Sequence, residues 1–293
     1  MGLTKWTVDG WTAYQGYPWV DDAYGCAWLV ETEQGWRGRP APRRERVTRP
    51  RRRGEYASTG WGSARLVELG GRVLAPDHAT LVAAAERFAA ILADEAATYP
   101  LVVDEDGLIR LANVQIADQF QVDLVNPTLG TWSLPLIAPD PVKYSATADG
   151  GGAQSTATAL PAATVGLVVP VVMPAVVSVG GTDGTVHLTN DGTTYTWPVL
   201  EIAGQVDNPR VEHPTTGRVL EFATSVGAGE TLTVDPAAGT VLLGTANRYG
   251  TLTAASSPLA TFVLPPGPND LAYRAQASAG GTTLTVRWRH AYL

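Results

Sequence analysis

The sequence predicts a mainly β protein with a single helix, divided into two domains. Three observations carry this reading. The 293 residues include 31 glycines and 21 prolines with abundant Thr and Val, a composition that favours turns and strands over helices. In the second half, short apolar runs separated by turn residues recur at roughly ten-residue spacing, as in a β-sandwich. Only one segment, Leu81–Leu92, places its apolar residues at helical intervals. The length suits two domains, and a 45% hydrophobic composition lets each bury a core.

Strand character begins with Trp11–Val20 and Tyr24–Glu33, separated by the turn residues Asp21 and Asp22. Residues 35–62 are rich in Arg, Pro and Gly and poor in large apolar side chains, so they read as an extended arm or a long loop that cannot pack a core of its own. Trp61–Val73 returns to strand character, with Leu66, Val67 and Leu69 as a short apolar patch. Asp77 is a good N-cap for the helix that follows, since its carboxylate accepts from free N–H groups of the first turn. Leu81, Ala84, Ala85, Phe88, Ile91 and Leu92 form its apolar face, and the run leads through Asp94–Ala97 to Tyr99-Pro100, where helix is disfavoured. The helix is expected to pack on one side of a sheet. Strands follow at Leu101–Val103, Leu108–Ala117, Gln119–Leu124 and Gly130–Ala138, with Asp104–Gly107 as a hairpin turn. The Ala, Gly, Ser and Thr-rich residues 146–163 read as a linker. The predicted domains are therefore 1–145, with the arm at 35–62, and 164–293. The longest apolar run, Val165–Val179, is interrupted by Pro170 and Pro174 and reads as strand, turn, strand, too short for a membrane-spanning helix.

Charge is unevenly distributed. Arg37, Arg39, Arg43, Arg44, Arg46, Arg49, Arg51, Arg52 and Arg53 oppose Glu45 alone, so this segment carries +8 and leaves −15 for the remainder of a chain at −7. Such a segment meets something acidic. Nucleic acid is the weaker choice: no helix-turn-helix or aromatic RNA-binding platform accompanies the arginines, and the chain is acidic overall. The single cysteine, Cys26, has no disulfide partner and reads as a small buried hydrophobe. His78, His187, His213 and His290 are too scattered for a zinc site, and Asp104–Asp106 lack calcium-loop spacing, so no metal or cofactor is expected. Neither a Gly-x-Ser-x-Gly elbow nor a phosphate-binding glycine loop is present, and no enzymatic activity is expected. Met1–Gly10 has no apolar h-region, so no signal peptide is expected. Trp132, Trp197 and Trp288 are expected to anchor cores, with Leu284, Val286 and Trp288 on one strand face.

The C-terminal half carries four marks in a fixed order: Asn190-Asp-Gly-Thr-Thr-Tyr-Thr-Trp-Pro198, Gly229-Glu-Thr-Leu-Thr-Val-Asp235, Leu264-Pro-Pro-Gly-Pro-Asn-Asp270 and Leu284-Thr-Val-Arg-Trp-Arg-His-Ala-Tyr-Leu293. Upstream stand Ala64-Arg-Leu-Val-Glu-Leu69, the helix, and Pro139-Asp-Pro141 followed by Tyr144. This order resembles the siphophage distal tail proteins, the tail-component family of long-tailed phages. The resemblance implies an N-terminal sheet or sandwich domain with a flanking helix and a C-terminal galectin-like β-sandwich. It implies a virion structural protein at the distal end of the tail, made in the host cytoplasm, that forms a hexameric ring. Its implied partners are the tail tube protein, a tail-tip hub protein and a fibre or receptor-binding protein, with no membrane. On this reading the nine arginines line an arm that reaches a neighbouring subunit, where their planar forks meet carboxylates. The rival reading is a carbohydrate-binding adhesin that recognises host cell-wall glycans, and a cryptic glycan-degrading enzyme comes third.

Overall fold

The computed structural model describes residues 2–147, 155–159, 184–278 and 282–293. The chain forms two compact units, Met1–Ala153 with Tyr292–Leu293, and Gln154–Ala291. The apolar run Val165–Val179 lies outside the described residues, as do 148–154 and 160–163 of the expected linker.

In the first unit the strands are β1 (Thr4–Val8), β2 (Trp11–Gln15), β3 (Ala27–Gln34), β4 (Pro42–Arg43), β5 (Trp61–Gly62) and β6 (Arg65–Leu74). Then come α1 (His78–Ala89), β7 (Tyr99–Glu105), β8 (Leu108–Ile116), β9 (Gln121–Asn126), β10 (Leu129–Ala138) and β11 (Lys143–Ser145). The main sheet runs β11-β8-β7-β1-β2-β3-β6-β10-β9, and a further pairing of β8 with β10 closes it. The expected N-terminal sheet or sandwich takes the form of a seven-stranded barrel, β8-β7-β1-β2-β3-β6-β10, with β9 and β11 as appendages. Two hairpins are set by Asp-Gly pairs with both residues at positive φ: Asp9-Gly10 between β1 and β2, and Asp106-Gly107 between β7 and β8. Period-two alternation fills the interior: on β10, Gly130, Trp132, Leu134, Leu136 and Ala138 point inward.

Register fixes the two ends of the barrel. Thr4 lies opposite both Gln15 and Glu105, Gln34 opposite Glu68, and Arg65 opposite Ala138, marking one end. The Asp9-Gly10 turn, Ala27 and Leu74 mark the other. Helix α1 follows Leu74 and therefore sits at this second end. Asp77 caps it, accepting from the Thr80 N–H at 2.8 Å, and that backbone bond holds the carboxyl below its usual range. Its Phe88 stacks on Trp28 at 5.0 Å and meets Trp11 and Trp132 edge-on at 5.2 and 5.9 Å. The helix covers an aromatic cluster at the barrel mouth instead of lying along a sheet. It also stops at Ala89, short of the expected Tyr99-Pro100 boundary. Leu92 takes a left-handed φ of 55°, buries its side chain, and donates its N–H to Asp9 Oδ2 at 2.7 Å. A tertiary bond to the first hairpin ends the helix against the local alanine propensity. Cys26 is buried, as its setting suggested. Leu66 is exposed, because parity along β6 turns Arg65, Val67 and Leu69 inward.

The second unit contains β12 (Ser155–Ala159), β13 (Thr185–Asn190), β14 (Val199–Ala203), β15 (Val206–Asp207), β16 (Arg210–His213), β17 (Arg218–Glu221) and β18 (Ser225–Val226). It continues with β19 (Thr231–Asp235), β20 (Thr240–Leu243), β21 (Ala246–Asn247), β22 (Gly267–Arg274), β23 (Ala277–Ser278) and β24 (Thr283–Trp288). A six-stranded sheet, β12-β24-β14-β19-β20-β21, and a four-stranded sheet, β13-β22-β16-β17, share one core; β18-β15-β23 form a smaller sheet. Residues 155–159, read from sequence as part of a linker, pair antiparallel with β24 as a strand. A Ser/Thr/Ala run has enough β propensity to do so once an edge is offered. Leu284, Val286 and Trp288 are buried on one face, as expected, while Trp197 is only half-buried and donates to the Ala260 carbonyl at 3.1 Å.

The family-like marks do local structural work. Asn190 donates to the Thr194 and Leu264 carbonyls and accepts from the Gly192 N–H. A Cβ on Gly192 would fall 2.0 Å from the Ala291 carbonyl oxygen, so only glycine permits this approach. Asn269 donates to the Pro265 and Gly267 carbonyls and faces buried His213 Nε2 at 3.1 Å. In the first unit Asp140 accepts from the Val142 N–H and the Tyr144 hydroxyl, closing the Pro-Asp-Pro turn.

Candidate assembly interface

The arginine-rich segment leaves the barrel after Gln34 and returns at Arg65. Residues 41–62 are exposed throughout. They form an irregular hairpin, paired at its base by β4 and β5 (Pro42↔Gly62, Arg43↔Trp61) and further out by a Thr48↔Glu55 bridge. The tip is a turn in which the Arg49 N–H reaches the Gly54 carbonyl at 3.1 Å, with Arg51 and Gly54 at positive φ. No apolar core supports this hairpin; exposed Val47, Tyr56 and Trp61 lie along it, and the Arg49 guanidinium sits 5.4 Å from the Tyr56 ring.

What holds the hairpin's direction is its root. Arg65 is buried at the first inward position of β6, and its guanidinium donates to four carbonyls: Gly35 at 2.7 Å, Trp36 at 3.0 Å, Gly38 at 2.6 Å and Pro141 at 2.9 Å. Burial lowers its pKa from the usual value, and Glu33 opposes that shift. Lys143, also buried, donates to the Trp36 carbonyl at 3.0 Å and lies 5.4 Å from the Trp36 ring. Burial, and then the Arg65 charge, push its pKa down to about 8. Trp36 is itself buried, edge-on to Trp6 at 5.8 Å. Gly35 takes φ 88°, and a Cβ there would fall 1.8 Å from the Leu66 carbonyl oxygen. The root is thus a compact knot of two cations, one indole and the carbonyls of residues 35–38.

The nine arginines do not behave alike. Arg37 belongs to the root: it pairs with Glu33 at 3.3 Å and Glu105 at 2.9 Å. Arg39, Arg43, Arg44, Arg46, Arg49, Arg51, Arg52 and Arg53 are exposed and form no ion pair among the described residues. The sequence reading missed Arg65, Lys143 and Trp36. Parity with Val67 and Leu69 was the available signal for Arg65.

Elsewhere the chemistry is modest. His187 pairs with Asp270 at 2.7 Å, and His290 lies 3.6 Å from Asp191. Among the described residues no three His, Cys, Asp or Glu side chains are grouped to hold a metal, and no helix is long and apolar enough to cross a membrane.

Residues 191–292 match the family model described as siphovirus-type tail component, C-terminal domain. Among solved structures, the chain is similar to the Dit protein of phage SPP1, a hub adsorption apparatus protein of phages that infect Gram-positive bacteria. The TM-score is 0.67 at 13% identity, over 99% of both chains. A chain of the phage P2 baseplate in its activated conformation with calcium aligns at TM-score 0.49 and 8% identity, over 97% of both chains. No curated protein sequence matches. Residues 191–292 thus match a siphovirus-type tail component domain, and the chain shares the fold of the SPP1 Dit protein over nearly its whole length.

Proposed function

We propose that this chain is a structural subunit of the distal tail of a siphovirus-type phage. Six copies form a ring that joins the tail tube to the tail-tip hub. The observation that carries this reading is the coincidence of a tail-component domain at residues 191–292 with a distal-tail fold over the whole length. The barrel unit builds the ring and the sandwich unit faces outward. Arg39, Arg43, Arg44, Arg46, Arg49, Arg51, Arg52 and Arg53 contact an adjacent subunit; Arg37 serves the root. Two features support the arm's role: its eight guanidiniums beyond Arg37 form no ion pair among the described residues, and buried groups fix its base. A solvated loop has no need of a buried arginine on four carbonyls at its root. The test is the native mass of the full chain with negative-stain images, alone and with the tail tube protein. A closed six-subunit ring is expected. A monomer under both conditions that binds cell-wall glycan would replace this reading with the adhesin.

A further inference from the structure

The arm and a second feature lie at opposite ends of the barrel. At the helix-bearing end, a cleft of about 480 Å³ opens between the Asp9-Gly10 turn, residues 20–24 and the last turn of α1. Its charged lining is Asp9, Asp21, Asp22 and Arg87, with Thr12, Tyr14 and Tyr24 beside them, and no residue of the arm lines it. The loop beside it displays apolar side chains to solvent: Tyr17 is 75% exposed and Val20 62%, and Tyr17 packs edge-on against Trp19 at 5.3 Å.

Two chemical facts define what this surface accepts. Tyr24 already holds the Arg87 guanidinium 3.8 Å from its ring centroid, so its ring is set up for cation stacking. Carboxylates outnumber that cation. Asp22 is committed to the Tyr24 and Cys26 N–H groups and the Trp28 indole, and Asp9 to the Leu92 N–H. Asp21 is exposed and forms no ion pair among the described residues. The local field is negative: the buried Cys26 thiol is pushed up first by burial and then by Asp22, with Asp21 and Asp77 adding to the shift against Arg87. Tyrosine faces beside carboxylates are the two partners a guanidinium takes together.

We propose that the arm tip of one copy of this chain, Arg49–Arg53, docks in the cleft of a second copy, with a guanidinium between Asp21 and the exposed ring of Tyr24. This rests on the reading of the arm as an inter-subunit element and adds where it lands. Charge complementarity selects the occupant: the tip carries four arginines, at 49, 51, 52 and 53, and the cleft Asp21, none of them in an ion pair among the described residues. Reach is adequate. The eight residues of β3 set a barrel height of at most about 25 Å, and the outgoing limb of the arm up to the tip turn, residues 42–49, spans about 25 Å. Donor and acceptor at opposite ends make a heterologous contact, which closes into a ring when its rotation permits.

The test compares three full-length proteins, each checked for native circular dichroism. One is wild type. One carries Asp21→Lys and Tyr24→Ala in the cleft, and one carries Arg49, Arg51, Arg52 and Arg53 replaced by Ser. Self-association is read by sedimentation velocity at 50 and 500 mM NaCl. Arg52→Cys and Asp21→Cys copies with different tags, both with Cys26→Ala, are mixed under mild oxidation. The expected result is that both sets weaken association at least about tenfold and reduce its salt dependence, and that a disulfide joins the differently tagged copies. If the Ser set weakens association while the cleft set and the cross-link have no effect, the arm reading survives and the docking site is wrong. The same comparison is made with the tail tube protein present; if the Ser set has no effect there, or wild type stays monomeric both alone and with the tube protein, both are wrong.

Discussion

Replacing Arg65 with Met tests whether the root is what orders the arm. The guanidinium donates four hydrogen bonds to the carbonyls of Gly35, Trp36, Gly38 and Pro141. Hydrogen bonds from a charged donor contribute about 1.5–3 kcal/mol each, but burying the charge offsets part of this. Some of the carbonyls recover partners: Trp36 keeps Lys143, and Gly35 and Gly38 are exposed enough to meet water. Met fills much of the volume. The net loss should be about 3–5 kcal/mol, a large share of the roughly 5–15 kcal/mol that stabilises a domain. Seven of the nine tryptophans lie in the first unit, so urea unfolding followed by fluorescence reports this loss. Limited trypsin digestion gives a second reading. Wild type should be cut within residues 43–53 and protected at Arg37, which two glutamates hold; the variant should be cut after Arg37 as well. Arg65→Lys should recover only part of the loss: an ammonium can take the place of Nη1 before the Gly35, Trp36 and Gly38 carbonyls but cannot also replace the Nε bond to Pro141. An unfolding free energy within about 0.5 kcal/mol of wild type and an unchanged digest would refute the argument.

Four further outcomes follow from the same geometry. Gly35→Ala should destabilise the first unit by more than about 2 kcal/mol in urea titrations, because strain from φ 88° adds to a 1.8 Å clash; Gly54→Ala, at φ 92° in open space, should cost only about 1–2 kcal/mol. Phe88→Ala should cost about 3–5 kcal/mol by opening the cluster of Trp11, Trp28 and Trp132. Lys143, with its pKa lowered to about 8, binds its proton less tightly folded than unfolded, so the first unit should gain stability as pH rises from about 8 to about 10.4; the gain should vanish in Lys143→Met. Buried His213 is likewise shifted down, so the second unit should lose stability as pH falls through about 6.5, and His213→Gln should flatten that limb of the urea-midpoint profile.

The sequence revealed what depends on local chemistry. Asp77 capped the helix, the Asp104–Gly107 turn closed its hairpin, and alternation put Leu284, Val286 and Trp288 on a buried face. It was silent where distant residues decide. The helix ends at Ala89 because Asp9, more than eighty residues upstream of Leu92, accepts that residue's N–H. The barrel closes through two residue pairs between β8 and β10, and no periodicity announces such a pairing. The arm was visible as a charge run, but Arg37 looked like its neighbours; only the structure shows it paired to Glu33 and Glu105.

The buried cations explain how an arm without a core can still be directed. Ordering a residue costs about 1–2 kcal/mol of backbone entropy, and the exposed hairpin buries no apolar surface to offset it. The stabilisation is concentrated instead at one point, where Arg65 and Lys143 bind the carbonyls of Gly35, Trp36 and Gly38. Fixing the root restricts where the tip can travel, and so raises its effective concentration at a surface within reach. On the proposed docking the remaining freedom would be lost only at contact, where the exposed guanidiniums would gain partners. A rigid root with a loose, charged tip therefore favours an interface made late and broken by salt. An arm whose tip were rigid in the free chain, by hydrogen exchange of residues 47–56, would contradict this division of labour.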